Sequence, residues 1–149
     1  MPRSHERPVH LLLVEDDDSH AELVLLELQD KGAAHSVARV RDGAEAIAYL
    51  TRTQPFADAP RPDVVLLDLK LPKIDGHEVL SFIKDNPSLC TIPVVVLTTS
   101  EAESDRARAY AHRANSYVVK PVDLEKFQRL VNELDRYWGQ YNVPPPGRT

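Results

Sequence analysis

Residues 63–76 read DVVLLDLKLPKIDG. Four apolar residues, Val64 to Leu67, stand between two aspartates, and a turn-rich segment with Pro72 and Asp75-Gly76 follows. A short run without polar alternation suits a strand buried on both faces rather than a helix. The aspartate that closes it, Asp68, is costly at the end of so apolar a strand unless it is used or compensated. We therefore place the central strand at Asp63–Asp68 and organise the rest of the chain around Asp68.

Three further apolar runs end in polar chemistry. Val9–Val14 is followed by Glu15, Asp16 and Asp17, Ile92–Leu97 by Thr98, and Tyr117–Val119 by Lys120-Pro121. Ser36–Val40 is a weaker strand, expected at an edge. Helical segments lie between the strands. Ser19–Glu22 and Ser100–Glu103 have capping-box spacing. The first helix is expected to stop at Gly32, and Asp42-Gly43 to turn into a short helix over Ala44–Arg52. Thr51–Pro62, with three prolines, reads as a loop. Glu78–Lys84 is a helix ended by Pro87. The Ala-rich helix after Ser100 runs to about Arg113, with Asn115 in a left-handed C-cap. Asp123 caps a last helix to about Tyr141. Strands alternating with helices predict an α/β protein, a parallel sheet covered on both faces. The carboxyl ends of its strands share one edge, where such sheets bind ligands. Glu15, Asp16, Asp68, Thr98 and Lys120 would converge there.

Composition narrows the function classes. The chain has 149 residues, 42% of them hydrophobic, a formal charge of -5 and one cysteine, Cys90. One compact domain fits that length. The negative balance and the lack of a basic run argue against nucleic acid. A single cysteine leaves no disulfide framework, and a cytoplasmic setting is expected. The polar start lacks a signal peptide's apolar stretch, and no run is long enough to span a bilayer. Residues 1–8 are expected to be a flexible arm, 9–141 the folded domain and 142–149 a disordered Pro-rich tail. The six histidines show no metal-ligand spacing, and His77 is expected at the surface.

Each polar residue has an ordinary reading beside the functional one. Glu15 to Asp18 could merely favour the start of the next helix. Lys120 could form a structural ion pair with Asp68, and Thr98 is a common strand residue. Taken together they suit metal and phosphoryl chemistry. Packed carboxylates repel one another unless a cation neutralises them, and Mg²⁺ takes a few carboxylates with water and phosphate oxygens.

The ordered set VEDD, LLDLKLPKIDG, VVVLTTS and SYVVKP resembles the receiver domain of bacterial two-component response regulators, over about Val9 to Tyr137. The resemblance implies a doubly wound, flavodoxin-like five-stranded sheet in the order 2-1-3-4-5. It implies that Asp68 is the phospho-acceptor, that Asp16 binds Mg²⁺ directly, and that Glu15 does so directly or through water. The backbone carbonyl of Lys70 would be a further ligand, and Lys120 would pair with the phosphoryl group. Thr98 and Tyr117 would be the switch pair, with Tyr117 turning inward as Thr98 moves toward the phosphoryl group. The Lys120-Pro121 bond would be cis. Lys70, in place of the family's usual small or polar residue, and Ser100 would tune dephosphorylation. The only catalysis expected is the chain's own phosphorylation and dephosphorylation, and no output module is expected after the last helix.

Two segments carry a narrower resemblance. The stretch from Tyr49 to Gly76 and the ending RYWGQYNVPPP are similar to regulators paired with bacterial phytochrome kinases, which implies a light-sensing histidine kinase as phosphodonor. Separately, Leu124, Phe127, Val131, Leu134, Trp138 and Tyr141 form a helical stripe. About 18 helical residues span ~27 Å, longer than a five-residue strand at ~17 Å. The overhanging Leu130, Tyr137, Trp138 and Tyr141 are expected to be a homodimer surface formed with the fourth helix and fifth strand. Two other functions are weighed. A haloacid-dehalogenase-like phosphatase needs a second aspartate where Lys70 stands. A receiver-like module that no longer takes phosphate would not need Glu15, Asp16, Asp68, Thr98 and Lys120 together.

Overall fold

The computed structural model describes residues 9–29 and 36–146. Strands β1 (His10–Val14), β2 (Ser36–Val40), β3 (Val64–Leu67), β4 (Val94–Thr98) and β5 (Ser116–Val119) form one parallel sheet in the order β2-β1-β3-β4-β5. Helices α1 (Asp18–Gln29), α2 (Gly43–Thr51), α3 (Gly76–Asp85), α4 (Glu103–Ala111) and α5 (Leu124–Arg136) alternate with them, and a π-helical turn, Tyr137–Tyr141, extends α5. This is the flavodoxin-like arrangement expected, with DVVLLD at the centre and β2 at an edge.

Side-chain parity divides the core. Leu12, Val14, Val65, Leu67, Val94 and Val96 face one layer with Ala46, Leu50, Val79, Leu80, Ile83 and Ala109 of α2, α3 and α4. Leu11, Leu13, Val64, Leu66, Val95 and Leu97 face the other with Ala21, Val24, Leu28, Phe127 and Val131 of α1 and α5. Burial on both faces is why these strands show no polar alternation.

Several helix boundaries differ from the expected ones. Asp17, not Ser19, caps α1. Its Oδ1 accepts the backbone N–H groups of Ser19 (2.9 Å) and His20 (3.1 Å), and a carboxylate there also faces the positive end of the helix dipole. Helix α2 starts one residue early, with Asp42 accepting from the N–H of Glu45, and α3 starts at Gly76, with Asp75 accepting from Glu78. Ser100 does not cap α4, which begins at Glu103 behind Ala102 without a side-chain cap. The left-handed residue after α4 is Arg113, at φ 70°. Asn115 instead donates its N–H to the carbonyl of Val94 and accepts the Val94 N–H on Oδ1, both at 2.9 Å, which fastens the entry of β4.

The end of the chain also departs from expectation. Trp138 does not overhang: it is buried in the core layer shared with Val9, Leu11 and Val131. The π-turn, closed by the Asn142 N–H on the Tyr137 carbonyl (2.7 Å), carries the indole onto the sheet and leaves Tyr137 and Tyr141 half or more exposed. Leu130 is partly buried against the same layer. Of the expected tail, Pro144 and Pro145 line a small cavity with Pro62, Ile92 and Pro93, with Pro145 and Pro146 exposed. Residues 1–8, the stop at Gly32 and the last three residues lie outside the described ones. No described helix is long and apolar enough to cross a membrane.

Candidate functional site

Strand pairing continues past the strand ends, and this builds the site. The backbone N–H of Glu15 donates to Val40 (3.1 Å), that of Asp68 to Val14 (3.1 Å) and that of Lys120 to Thr98 (2.7 Å). Glu15, Asp68, Thr98 and Lys120 are thereby held side by side on the carboxyl edge of the sheet.

Lys120 is the hub. Its ammonium is buried and uses its three N–H donors on Glu15 Oε1, Asp68 Oδ2 (3.1 Å) and His20 Nδ1 (3.0 Å). The contact to Glu15 is the tightest of the three. Glu15 Oε2 accepts the N–H of Asp17 (3.1 Å), so both of its oxygens have partners inside the protein. Burial pushes its pKa up to about 7, against the opposing pull of the Lys120 ammonium. Asp68 is more open. One oxygen is on Lys120, and the other accepts the Lys70 N–H (3.2 Å).

Beside Asp68 lies a cleft of about 520 Å³, lined by Asp16, Leu69, Lys70, Leu71, Pro72, Asp75, His77, Asp105 and Arg108. Asp16 is exposed there and, among the described residues, makes no hydrogen bond or ion pair. Among those residues, no three His, Cys, Asp or Glu side chains gather into a metal site. A hard dication that keeps several waters can be held by one or two carboxylates with a backbone carbonyl. Asp16, Asp68 and the Lys70 carbonyl are oxygen donors of the right kind, while Glu15 is turned toward Lys120.

Thr98 is fully buried, with its Oγ1 accepting the Ser100 N–H (3.3 Å). Tyr117 packs against the core, and its hydroxyl donates to the Ser100 carbonyl (3.1 Å). The two expected switch residues thus meet on Ser100. The Lys120-Pro121 bond is trans, against expectation, and among the described residues the cis X-Pro bond is Gln54-Pro55. The two isomers of such a bond differ by only about 0.5–1 kcal/mol, so the residue pair alone does not select one.

Sequence reasoning missed three contributors. His20 touches Lys120, an encounter between residues a hundred positions apart. His77 is buried, not at the surface. Gly76 does more than turn the chain: a methyl on its Cα would overlap the Asp68 carbonyl oxygen, so only glycine lets α3 start against the backbone of Asp68 and Leu69. The Asp-Gly pair was visible in the sequence, but that close approach was not.

A carboxylate, an ammonium, a hydroxyl and an acidic cleft on one sheet edge have counterparts among known proteins. The model of the response regulator receiver domain matches residues 11–132. The chain belongs to that family. FilR2, a probable methanogenesis regulatory protein of Methanothrix harundinacea, is 45% identical over 94% of this chain and 90% of its own length. The response regulator Rcp1 of Synechocystis is 41% identical over 88% of this chain and 89% of its own. Its Mn²⁺-bound structure superposes with a TM-score of 0.88, covering 93% of this chain and 99% of that one. The phosphorylated cyanobacterial phytochrome response regulator RcpA superposes at 0.90 with 40% identity, over 93% of this chain and 99% of its own. This receiver domain is therefore a two-component signalling protein homologous to phytochrome response regulators, and a sensor kinase is its class of partner.

Proposed function

We propose that Asp68 accepts a phosphoryl group from the phosphohistidine of a phytochrome-type sensor kinase, with Mg²⁺ as the cation, in the cytoplasm. The carrying observation is the setting of Asp68, at the tip of the central strand, with one oxygen on Lys120, the other on the Lys70 N–H, and beside it a cleft lined by Asp16, Leu69 and Lys70. A carboxylate oxygen of Asp68 bonds to phosphorus as the bond from phosphorus to the donor imidazole nitrogen breaks, and that nitrogen leaves with its electron pair. Lys120 neutralises the charge on the group, and the Thr98 hydroxyl offers a hydrogen bond to one of its oxygens. Asp16, Asp68 and the Lys70 carbonyl would hold a divalent cation, with Glu15 contributing directly or through water, and the cation would supply further charge neutralisation. Positioning and neutralisation of this kind are most of what phosphoryl transfer requires.

Regulation follows from the same residues. Thr98 and Tyr117 serve as the switch pair, Lys70 and Ser100 tune loss of the phosphoryl group, and the only catalysis is the chain's own phosphorylation and dephosphorylation. The functional unit is residues 9–141. Its output is a surface of α4, β5 and α5, where Tyr110, Val122, Leu124, Tyr137 and Tyr141 are exposed, and this surface joins two copies of the chain. Trp138, being buried, is not part of it.

Incubation with acetyl phosphate and Mg²⁺, followed by intact mass, tests the core of this reading. The wild-type chain is expected to gain one phosphoryl mass, and Asp68→Asn to gain none. Labelling of Asp68→Asn at the wild-type rate overturns the assignment.

A further inference from the structure

A chain of hydrogen-bonded side chains lies along the cleft beside Asp68. Its first member is His77, in the first turn of α3, 5% exposed. Its Nε2 donates to Asp105 Oδ1 at 3.1 Å. The other ring nitrogen, Nδ1, is buried without a partner among the described residues. The imidazole therefore has a single polar task, which is to hold Asp105. Asp105, in the first turn of α4, accepts the Ser100 hydroxyl on its second oxygen at 2.6 Å. These two donors hold its carboxyl below the usual carboxylate range.

Ser100 is committed at every polar atom. Its N–H is on Thr98 Oγ1, its carbonyl receives the Tyr117 hydroxyl, and its own hydroxyl reaches Asp105 while accepting the Ala102 N–H (3.3 Å). The loop that carries the Thr98 and Tyr117 contacts is thus tied through one carboxylate to the start of a different helix. Among the described residues, Asp105 of α4 is the side chain that holds the Ser100 hydroxyl, and His77 of α3 is the side chain that holds Asp105. Every link from His77 Nε2 through Asp105 to Ser100 is made, and such a run favours one arrangement over its neighbours, because a broken link leaves a further buried polar group unpaired.

We propose that His77 and Asp105 are positioning residues that set the resting balance of the Thr98/Tyr117 pair, by fixing the Ser100 carbonyl where the Tyr117 hydroxyl reaches it. This rests on the reading of Thr98 and Tyr117 as the switch pair. Both line the cleft beside Asp68, yet among the described residues neither is hydrogen-bonded to Asp68, whose partners are the Lys70 N–H and Lys120. His77 and Asp105 act through Ser100, and they bias an equilibrium that phosphorylation also biases. Losing the His77–Asp105 bond should shift the ratio of inward to outward Tyr117 about five-fold toward outward, the worth of one net hydrogen bond.

The test uses the full chain labelled with 3-fluorotyrosine and read by ¹⁹F NMR, with the Tyr117 signal assigned from Tyr117→Phe. Spectra are taken without any phosphodonor and again with beryllofluoride. In His77→Leu the Tyr117 signal should move away from its beryllofluoride position, and in His77→Gln, which keeps an N–H donor, it should stay near the wild-type position. Asp105, with a side chain one-third exposed, gives a second route: Asp105→Ala should move the signal as His77→Leu does, and it serves alone if His77→Leu does not fold. An unmoved signal in Asp105→Ala overturns the proposal. So does a signal in His77→Gln displaced as far as in His77→Leu, because the cause would then be packing and not the hydrogen bond. The donor-free spectra decide the positioning role, whereas phosphoryl uptake by Asp68 separately decides the reading beneath it.

Discussion

Lys120 makes three contacts with one ammonium, and two of them end on carboxylates. Desolvating a charge this completely is tolerable only while its partners are present. Lys120→Met leaves Glu15, which is buried, without its ammonium and facing Asp68, whose charge already pushes the Glu15 carboxyl upward. Breaking a buried pair costs about 3–5 kcal/mol. Glu15 can escape part of that cost by taking a proton. Its folded pKa lies above its unfolded value, so the folded form holds the proton more tightly. The stability this gives is complete below the unfolded pKa near 4.5 and is lost as pH rises through the folded value. The variant should therefore lose most stability at pH 8 and least at pH 5, in urea titrations with chelator present. An equal loss at both pH values would mean that Glu15 is not the group left stranded. At this scale the sequence was legible where chemistry sits at a strand end: Asp68, Thr98 and Lys120 each close or follow an apolar run. His20 and His77 were not, since a lone histidine in a helix carries no periodic or spacing signal and becomes functional only when another element arrives beside it.

Two contacts between elements decide how firmly the site is framed. Gly76 seats the start of α3 on the backbone of Asp68 and Leu69, and Gly43 seats α2 on the carbonyl of Ile74 in the same loop. In each case the clash is with backbone, which cannot rotate away. Gly76→Ala is expected to cost about 1–3 kcal/mol, as overpacking does, and to slow acetyl-phosphate labelling by displacing Asp68. Wild-type labelling in a destabilised Gly76→Ala chain would uncouple the loop from the acceptor. At the other edge of the sheet, His10 joins three elements, with Nδ1 2.6 Å from the Ser36 hydroxyl of β2 and Nε2 2.6 Å from the Tyr49 hydroxyl of α2. Burial lowers its pKa from 6.5, with Asp63 pulling the other way. The unfolded chain then takes up the proton before the folded one does. Stability should be full above about pH 6.5 and fall as pH drops below it, and His10→Phe should flatten that slope in urea midpoints measured from pH 7.5 to 5. The strands were readable because two-sided burial writes itself as an unbroken apolar run. Capping was less so: Ser19 and Ser100 satisfy the capping-box pattern, yet Asp17 lies two residues before Ser19 with a stronger acceptor, and the Ser100 hydroxyl is drawn away to Asp105. A local pattern cannot register a competitor that arrives through tertiary packing.

On the scale of the whole molecule, the aromatic end of α5 divides between core and surface. A straight helix would have carried the 3–4 stripe off the end of the sheet. The π-turn instead brings Trp138 under cover while leaving Tyr137 50% and Tyr141 67% exposed. The two kinds of aromatic should behave differently when removed. Trp138→Ala empties a large volume from the layer between α1 and α5 and should cost about 3–5 kcal/mol in urea unfolding. Tyr137→Ser with Tyr141→Ser removes two partly exposed rings, of which Tyr137 stands edge-on to the Trp138 indole at 5.0 Å between centroids, so stability of the single chain should change by about 1 kcal/mol, the worth of one such ring pair and well short of the loss in Trp138→Ala. Exposed apolar surface of this kind is where a second copy gains most by covering it. The wild-type chain should therefore show twice the chain mass by light scattering at high concentration. The double tyrosine variant should revert to a single mass while still taking one phosphoryl group from acetyl phosphate. A single mass for the wild type, both with and without beryllofluoride, would remove the homodimer and leave the tyrosines facing a different protein.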